Sequence, residues 1–342
     1  MAPGVPSIAV SVIIPTYNGA SKIEQCLTAL RGQDFDQSFD VIVVNDGSTD
    51  GTSGVLAKYP EVRVITQANA GPAAARNRGV REAVAEIIVF TDDDCEPLPN
   101  WLTEMFKPFA DPEVVGAKGV YRTRQREIIS RFVQADYEDR YRLMARQPTI
   151  DFIDTYSAAF RRARFLEMDG YDTSFPVACA EDVELSYRMA GKGWRMLFVP
   201  DAIVYHLHPN TFAAYLKKKF KFAFWRVLAV RKNPSKAVND SHTPPLMKLQ
   251  LLFCPVMFLA ILGDFFHLSG TPLTLIVLLG FLLTVLPFSV RVFGKDPVLG
   301  TISPLILIAR SCAQFLGVFS GVSYLILNSA IAAFQPVPVR KL

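Results

Sequence analysis

Between Asp264 and Arg291 the chain carries no Asp, Glu, Lys or Arg, and Ser311 to Val339 is equally free of them. Long uncharged runs limit the possible folds sharply, because a soluble interior rarely hides several of them in succession. Three hydrophobic segments, Leu249 to Leu268, Leu273 to Val290 and Ser311 to Phe334, each approach the ~20 residues needed to cross a ~30 Å hydrocarbon core. Ser269-Gly270-Thr271 reads as the short polar turn of a transmembrane hairpin. Pro255 and Asp264 make the first span the weakest of the three. Only 20% of the 342 residues are charged, below the ~25% of a typical soluble domain, and the apolar block accounts for the difference. A chain of this length leaves room for a globular domain ahead of that block.

The first ninety residues alternate strand and helix. Ile8 to Ile14 reads as a β-branched buried strand. Ser21-Lys22-Ile23-Glu24 then has capping-box spacing ahead of Leu27 and Leu30. Val41 to Val44, Val62 to Ile65 and Ile87 to Phe90 are further strands, with helices expected at Gly51 to Lys58 and Gly71 to Val84. This alternation implies parallel βαβ units in an open α/β sheet, where ligands bind beyond the C-terminal strand ends. Thr16, Asp46, Asn69 and Asp92-Asp93-Asp94 follow four successive strands and should meet in one crevice. A mixed α+β stretch follows Trp101, with Leu197 to Val199 and Ile203 to Tyr205 as its last strands.

Charge is distributed unevenly. Ala202 to Asn239 holds eight Lys/Arg and no acid, so the rest of the chain is net negative although the whole is +4. These cations interleave with aromatics in Phe220-Lys221-Phe222-Ala223-Phe224-Trp225-Arg226, a pattern suited to an anionic lipid surface. A solvated charge run is the plain alternative. No nucleic-acid motif accompanies the patch, so nucleic acid is not expected as a partner. The five cysteines are scattered and form no C-x-x-C pair, which excludes a disulfide framework or zinc knuckle and implies a reducing compartment. The run Ile8 to Ile14 is too short for a secretory leader, so none is expected.

Several polar clusters invite chemistry. Three acids after an apolar strand, Asp92-Asp93-Asp94, repel one another unless a cation sits among them. Hard oxygen donors of this kind suit Mg²⁺ or Mn²⁺. A solvated turn is the alternative. Asp46, in Asn45-Asp46-Gly47-Ser48, fits either turn chemistry or a hydrogen bond to a nucleobase or ribose. Arg76 lies among small residues that permit close approach to acids or a phosphate. Glu181-Asp182 open a helix, where acids suit the dipole, and either carboxylate could also act as a general base. His206 and His208 end a strand with i, i+2 spacing, which directs both imidazoles to one face.

Together these segments resemble a family-2 glycosyltransferase with the GT-A fold, a Rossmann-like open sheet. The matching stretches are Ser11-Val12-Ile13-Ile14-Pro15-Thr16-Tyr17-Asn18, Val43-Val44-Asn45-Asp46-Gly47-Ser48-Thr49-Asp50, Arg76-Asn77-x-Gly79, Phe90-Thr91-Asp92-Asp93-Asp94, Gly170-Tyr171-Asp172 and Glu181-Asp182. The resemblance implies that Pro15, Thr16, Tyr17, Asp46, Arg76, Asp92 and Asp93 bind a nucleotide-sugar, with Thr16 and Asp46 at base and ribose. It assigns the metal, Mg²⁺ or Mn²⁺, to Asp94 with Asp92 and a histidine, His206 first and His208 second. It makes Asp182, with Glu181, the catalytic acid pair, Asp182 being the base. The Gln-x-x-Arg-Trp motif of processive synthases has no match, since Phe224-Trp225-Arg226 reverses its order. The family's Asn in the segment matching Thr155 to Phe160 is also missing.

The expected organisation is a GT-A catalytic domain over 1–210, a basic-aromatic juxtamembrane segment over 211–245, and about three hydrophobic helices over 246–336. The implied activity is inverting transfer of a sugar, UDP being the commonest donor nucleotide, to a hydroxyl of a lipid-linked or cell-surface glycan. Transfer to a polyprenyl phosphate and a non-catalytic carbohydrate-binding scaffold are the alternatives. The positive-inside rule places the catalytic domain on the cytoplasmic side of the plasma or inner membrane. Ile302 to Gln314 is expected along the inner interface, leaving Leu316 to Phe334 as a third crossing that would put Arg340-Lys341 outside; an even number of crossings, with the third segment re-entrant, is the alternative.

Overall fold

In a computed structural model describing residues 8–175, 179–237, 240–267 and 272–334, two compact units emerge. One comprises residues 8–210 with Ser235–Pro244, the other Thr211–Pro234 with the chain from Pro245. In the first, β-branched runs form Val10–Thr16 (β1), Phe39–Asn45 (β2), Arg63–Thr66 (β3) and Ile87–Phe90 (β4), all paired in parallel in the order β3-β2-β1-β4. Helices Ile23–Arg31 (α1), Thr52–Leu56 (α2) and Pro72–Glu82 (α3) make the crossovers.

Beyond β4 come Glu96–Pro97 (β5), Trp101–Phe106 (α4), Val114–Arg122 (β6), Ile128–Met144 (α5), Ala158–Arg161 (β7), Arg162–Glu167 (α6), Glu181–Gly191 (α7) and Arg195–Tyr205 (β8). The sheet has eight strands in the order β3-β2-β1-β4-β7-β6-β8-β5, and β7 runs antiparallel to both its neighbours. Strand alternation splits the core into two layers. Val12, Ile14 and Val43 pack with α1 and α4 through Leu27, Leu30 and Trp101. Ile13, Val44 and Phe90 pack with α3 and α7 through Ala75, Val80, Leu185 and Met189.

Two local expectations are corrected. The Ser21 to Glu24 capping box does not form: Lys22 is the N-cap of α1, without a side-chain cap, and the amides of Lys22 and Ile23 bond to the Gly19 carbonyl instead. The two short strands expected at Leu197 and Ile203 are one strand, β8. Its pairing with β6 slips in register between Lys118 and Val120, around Gly119. A Cβ on Gly119 would lie 2.3 Å from the Ala202 carbonyl oxygen, so a side chain there would force the two strands apart.

The second unit contains Phe212–Lys232 (α8), Pro245–Phe265 (α9), Leu273–Phe293 (α10) and Pro297–Phe334 (α11). Three of these, α9, α10 and α11, are long and apolar enough to cross a membrane. Pro255, Pro287 and Pro304 lie inside them without ending them. The weakness attributed to Asp264 has a local resolution: its carboxylate accepts from the amides of Leu273 (2.9 Å) and Thr274 (2.8 Å), capping α10. Ile302 to Gln314 is not a separate segment but the first part of α11. The basic helix α8 packs on α11 at Gly317 and Gly321. Cβ atoms at those two positions would meet the Phe220 and Phe224 carbonyl oxygens at 2.4 and 2.6 Å. The Ser269-Gly270-Thr271 link and the Arg340-Lys341 tail lie outside the described residues.

Candidate active site

Strand register decides where the acid run goes. The ends of β1 and β2 are level, Thr16 opposite Asn45, and Asn45 is opposite Thr66 of β3. β4 stops earlier, with Phe90 opposite Ile13. The residues after Phe90 therefore run beside the end of β1, and Thr16 Oγ1 donates to Asp93 Oδ2 at 2.6 Å. Gly19 is required beside them, because a Cβ there would stand 2.3 Å from Thr16 Oγ1 and 2.4 Å from Asp93 Oδ2. Burial pushes the Asp93 carboxyl up to about 6, against the pull of the Thr16 hydroxyl. Pro15 is buried within β1, whereas Tyr17 is 51% exposed at the rim.

Asp46 is a structural tie in this conformation. Its carboxylate accepts from Gln67 Nε2 (2.7 Å), Ala70 N (3.0 Å) and Gly71 N (2.8 Å), fixing the loop that leads into α3. Its own amide donates to Thr16 O at 2.9 Å, which joins the ends of β1 and β2.

Arg76 sits at the centre of the site. It is only 3% exposed, although an Ala-rich helix would ordinarily turn it to water. Its guanidinium donates to Asp92 Oδ1 at 2.7 Å and to Glu181 Oε1 at 3.3 Å, so one cation joins the acid run to the start of α7. The neighbouring motif residues carry the scaffold. Asn77 holds Tyr171 both ways, donating to its carbonyl (2.7 Å) and accepting from its amide (2.9 Å). Gly79 lets α3 lie on β1, where a Cβ would meet Ile13 Cγ2 at 2.4 Å.

The two acids of the Glu181-Asp182 pair differ in their surroundings. Glu181 Oε2 accepts from the amides of Cys179 (2.8 Å) and Ala180 (3.1 Å) while Oε1 faces Arg76, which commits that carboxylate to holding the site together. The Asp182 carboxylate accepts only from its own neighbour, Val183 N, at 2.7 Å among the described contacts. Desolvation, then the charges of Glu181 and Asp154, push the Asp182 carboxyl well above the ordinary range. A carboxylate so placed is a proton acceptor with driving force.

Asp94 and His206 come together at the other end of the acid run. His206 Nδ1 lies 3.2 Å from Asp94 Oδ1, yet it makes no aligned hydrogen bond there and is shut from solvent. Burial raises the Asp94 carboxyl, but His206 and Lys22 outweigh it, and the group ends below its ordinary value. Donor atoms of Asp94, Cys95 and His206 lie within 4.8 Å of one another. That donor set, with an orphaned imidazole nitrogen beside a carboxylate, fits a divalent ion. His208 does not share this position. Its Nε2 is 3.1 Å from Gln134 Oε1 on α5, and its ring stacks on Tyr137, so of the two histidines it is His206, the first choice, that stands beside Asp94. The strand ends at Tyr205, and alternation no longer governs His208.

Sequence reasoning missed a buried network flanking Asp182. Lys118 on β6 is ion-paired with Asp154 and donates to Tyr156 Oη at 2.7 Å, and Tyr156 Oη lies 3.0 Å from Tyr141 Oη. Burial lowers the Lys118 ammonium against the pull of Asp154. No motif marks these residues; the one available signal was a lone Lys inside the apolar run Val114 to Val120.

Residues 11–167 match the family model for glycosyl transferase family 2. Among curated proteins, the pre-mycofactocin glycosyltransferase of Mycobacterium tuberculosis is 27% identical over 219 residues, 61% of this chain and 45% of that protein. The glycosyltransferase AglE of Haloferax volcanii is 28% identical over 229 residues, 62% of this chain and 71% of that protein. The chain thus spans less than half of the first relative's length. A mannosyltransferase from Pyrobaculum calidifontis, solved with GDP-Man and Mn²⁺, superposes with a TM-score of 0.60 at 21% identity. The alignment covers 94% of this chain and 90% of that one. The sheet-bearing unit thus has a GT-A-like mixed open sheet, and its residues 11–167 are similar to glycosyl transferase family 2.

Proposed function

We propose that the chain is a membrane-anchored, metal-dependent inverting glycosyltransferase that moves a sugar from a nucleoside-diphosphate donor to a hydroxyl of a lipid-linked or cell-surface glycan. The observation that carries this reading is the division of labour between adjacent acids: Arg76 and two amides hold Glu181, while Asp182 keeps a carboxylate for chemistry.

In this reading Thr16, Tyr17 and Asp46 border the nucleoside and Arg76 orients Asp92. Asp93 borders the ribose, through a position fixed by Thr16. Asp94 and His206 would hold Mg²⁺ or Mn²⁺, as the Mn²⁺-bound mannosyltransferase suggests. A bound divalent ion supplies electrostatic stabilisation to the departing diphosphate. Asp182 removes the acceptor hydroxyl's proton on the face opposite that leaving group, and a single displacement inverts the anomeric centre. A phosphate acceptor, ionised already at neutral pH, would leave Asp182 without that task.

The α9, α10 and α11 spans would anchor the enzyme, and the eight cations from Ala202 to Asn239 would keep its catalytic domain on the cytoplasmic face. The experiment is transfer of radiolabelled sugar from UDP-, GDP- and dTDP-donors by the full chain in native membranes. Label in an acid-stable glycan, lost in Asp182→Asn, supports the reading. Label on a bare lipid phosphate that mild acid releases as monosaccharide would move the assignment to polyprenyl phosphate. No transfer from any donor would leave a carbohydrate-binding scaffold.

A further inference from the structure

The cysteine beside the acid run, Cys95, is a buried core residue that also stands next to the acids. The turn from Asp92 to Cys95 closes with Cys95 N donating to Asp92 O at 3.1 Å. β5 then begins at Glu96, which pairs antiparallel with Tyr205 of β8. Cys95 precedes Glu96 and His206 follows Tyr205, so the ladder's next cross-strand positions belong to a thiol and an imidazole. Cys95 Sγ lies 4.0 Å from Asp94 Oδ1, and thiol, carboxylate and imidazole donors all stand within 4.8 Å of one another. His206 Nδ1 is buried without an aligned hydrogen bond. Cys26, the other buried cysteine nearby, turns its sulfur elsewhere, toward the Asp92 carbonyl at 3.5 Å.

We propose that Cys95 Sγ is a third protein ligand to the divalent ion, beside Asp94 and His206, making a mixed O, N, S site that ranks Mn²⁺, Co²⁺ and Zn²⁺ above Mg²⁺. The proposal rests on the preceding reading only for the ion's place at Asp94 and His206. Carboxylate alone suits hard ions, imidazole suits borderline ones, and a sulfur donor moves the preference further along the Irving–Williams order. On binding, the Cys95 S–H bond breaks, its proton passes to solvent, and the thiolate pair forms the sulfur–metal bond; nothing is oxidised or reduced.

The test is Co²⁺ titration of the full chain in detergent micelles, read by absorbance and by equilibrium dialysis. The expected result is one equivalent retained with a near-ultraviolet sulfur-to-cobalt charge-transfer band. Cys95→Ser and Cys95→Ala should abolish that band, and Cys26→Ser should keep it. Cobalt affinity in Cys95→Ser should fall by no less than the ~10-fold that losing even an outer-shell partner costs, with Mg²⁺ affinity changed far less. Circular dichroism on the same samples verifies that the variants are folded, and an unfolded Cys95→Ser is replaced by the Cys95→Ala comparison. Cobalt retained without the band, or a band indifferent to both Cys95 variants, overturns the role of Cys95 while leaving Asp94 and His206 in place. No cobalt retained overturns the ion site itself, whatever the outcome of the sugar-transfer assay.

Discussion

The sheet unit and the helical unit solve opposite solvent problems. In the first, Val, Ile and Phe fill both faces of the sheet, and the ionisable groups gather at one end of the strands. In the second, Leu252, Phe258, Leu283 and Leu305 face outward, while Gln250, Thr284, Ser289, Ser303 and Arg310 are buried between helices. Gln250 bridges two of those helices, donating to Thr284 O at 3.1 Å and accepting from Arg310 at 2.5 Å. Apolar side chains facing outward with polar ones turned inward suit surroundings that cannot hydrogen-bond, the reverse of the sheet unit's arrangement. Exposure of a side chain therefore means different things in the two halves of one chain.

The largest expected effect strikes the sheet unit's chemistry. Asp182→Asn should reduce transfer by about 10²- to 10⁴-fold, the usual share of a general base, measured as kcat for the best donor. The same change should raise thermal stability at neutral pH. Burial raises the folded-state pKa of Asp182, so the stability linked to its neutral form is present below the ordinary carboxylate range. It is lost as pH rises through the raised value, and asparagine keeps it. A melting temperature for Asp182→Asn below the parent's at pH 7 would contradict this account of its surroundings.

Arg76→Met comes next. It leaves Asp92 and Glu181 without their shared cation, at about 3–5 kcal/mol for a broken buried pair. Denaturant unfolding of the sheet unit measures it, and a loss below 1 kcal/mol would deny Arg76 its central place.

A matched pair of substitutions tests the contrast between the units directly. Val84 and Leu283 are each 69% exposed. Lysine at Leu283, midway along α10, should impair membrane insertion by about 2.5–3.5 kcal/mol. Lysine at Val84 should change stability by no more than about 0.5 kcal/mol. Equal tolerance at both positions, read from membrane-fraction yield and melting, would show that α10 does not face lipid.

The smallest effect is a pH profile. With Asp182 as the proposed base, kcat/KM should fall as pH drops through a value well above that of an ordinary carboxylate. An acidic limb near pH 4 would mean that Asp182 is not the base.

Much of this was legible in residue order. Strand positions, the gathering of polar groups at the strand ends and the three apolar helices all follow from periodicity and charge, because backbone period and solvent preference act locally. The acid run was readable for the same reason. What escaped was partnership across distance. The small residues around Arg76 allow it to approach acids, but they do not name Glu181, which α7 brings to it from 105 positions later in the chain. Lys118, Asp154 and Tyr156 carry no spacing signal, since their network forms only when β6 packs beside β7. Cys95 counted as one of five scattered thiols until β5 paired with β8.

The sequence by itself determined the order of strands and helices, the end of the sheet where polar groups collect, and which stretch suits a hydrocarbon solvent. Each of those depends on which neighbours lie within a few residues and on what surrounds them. Only the tertiary structure decided which of Glu181 and Asp182 is tied and which is spared, and which of His206 and His208 faces Asp94. Those choices turn on distances of a few ångströms between segments far apart in the chain. The energy of a hydrogen bond or an ion pair falls off too steeply with distance and angle for residue order to settle them.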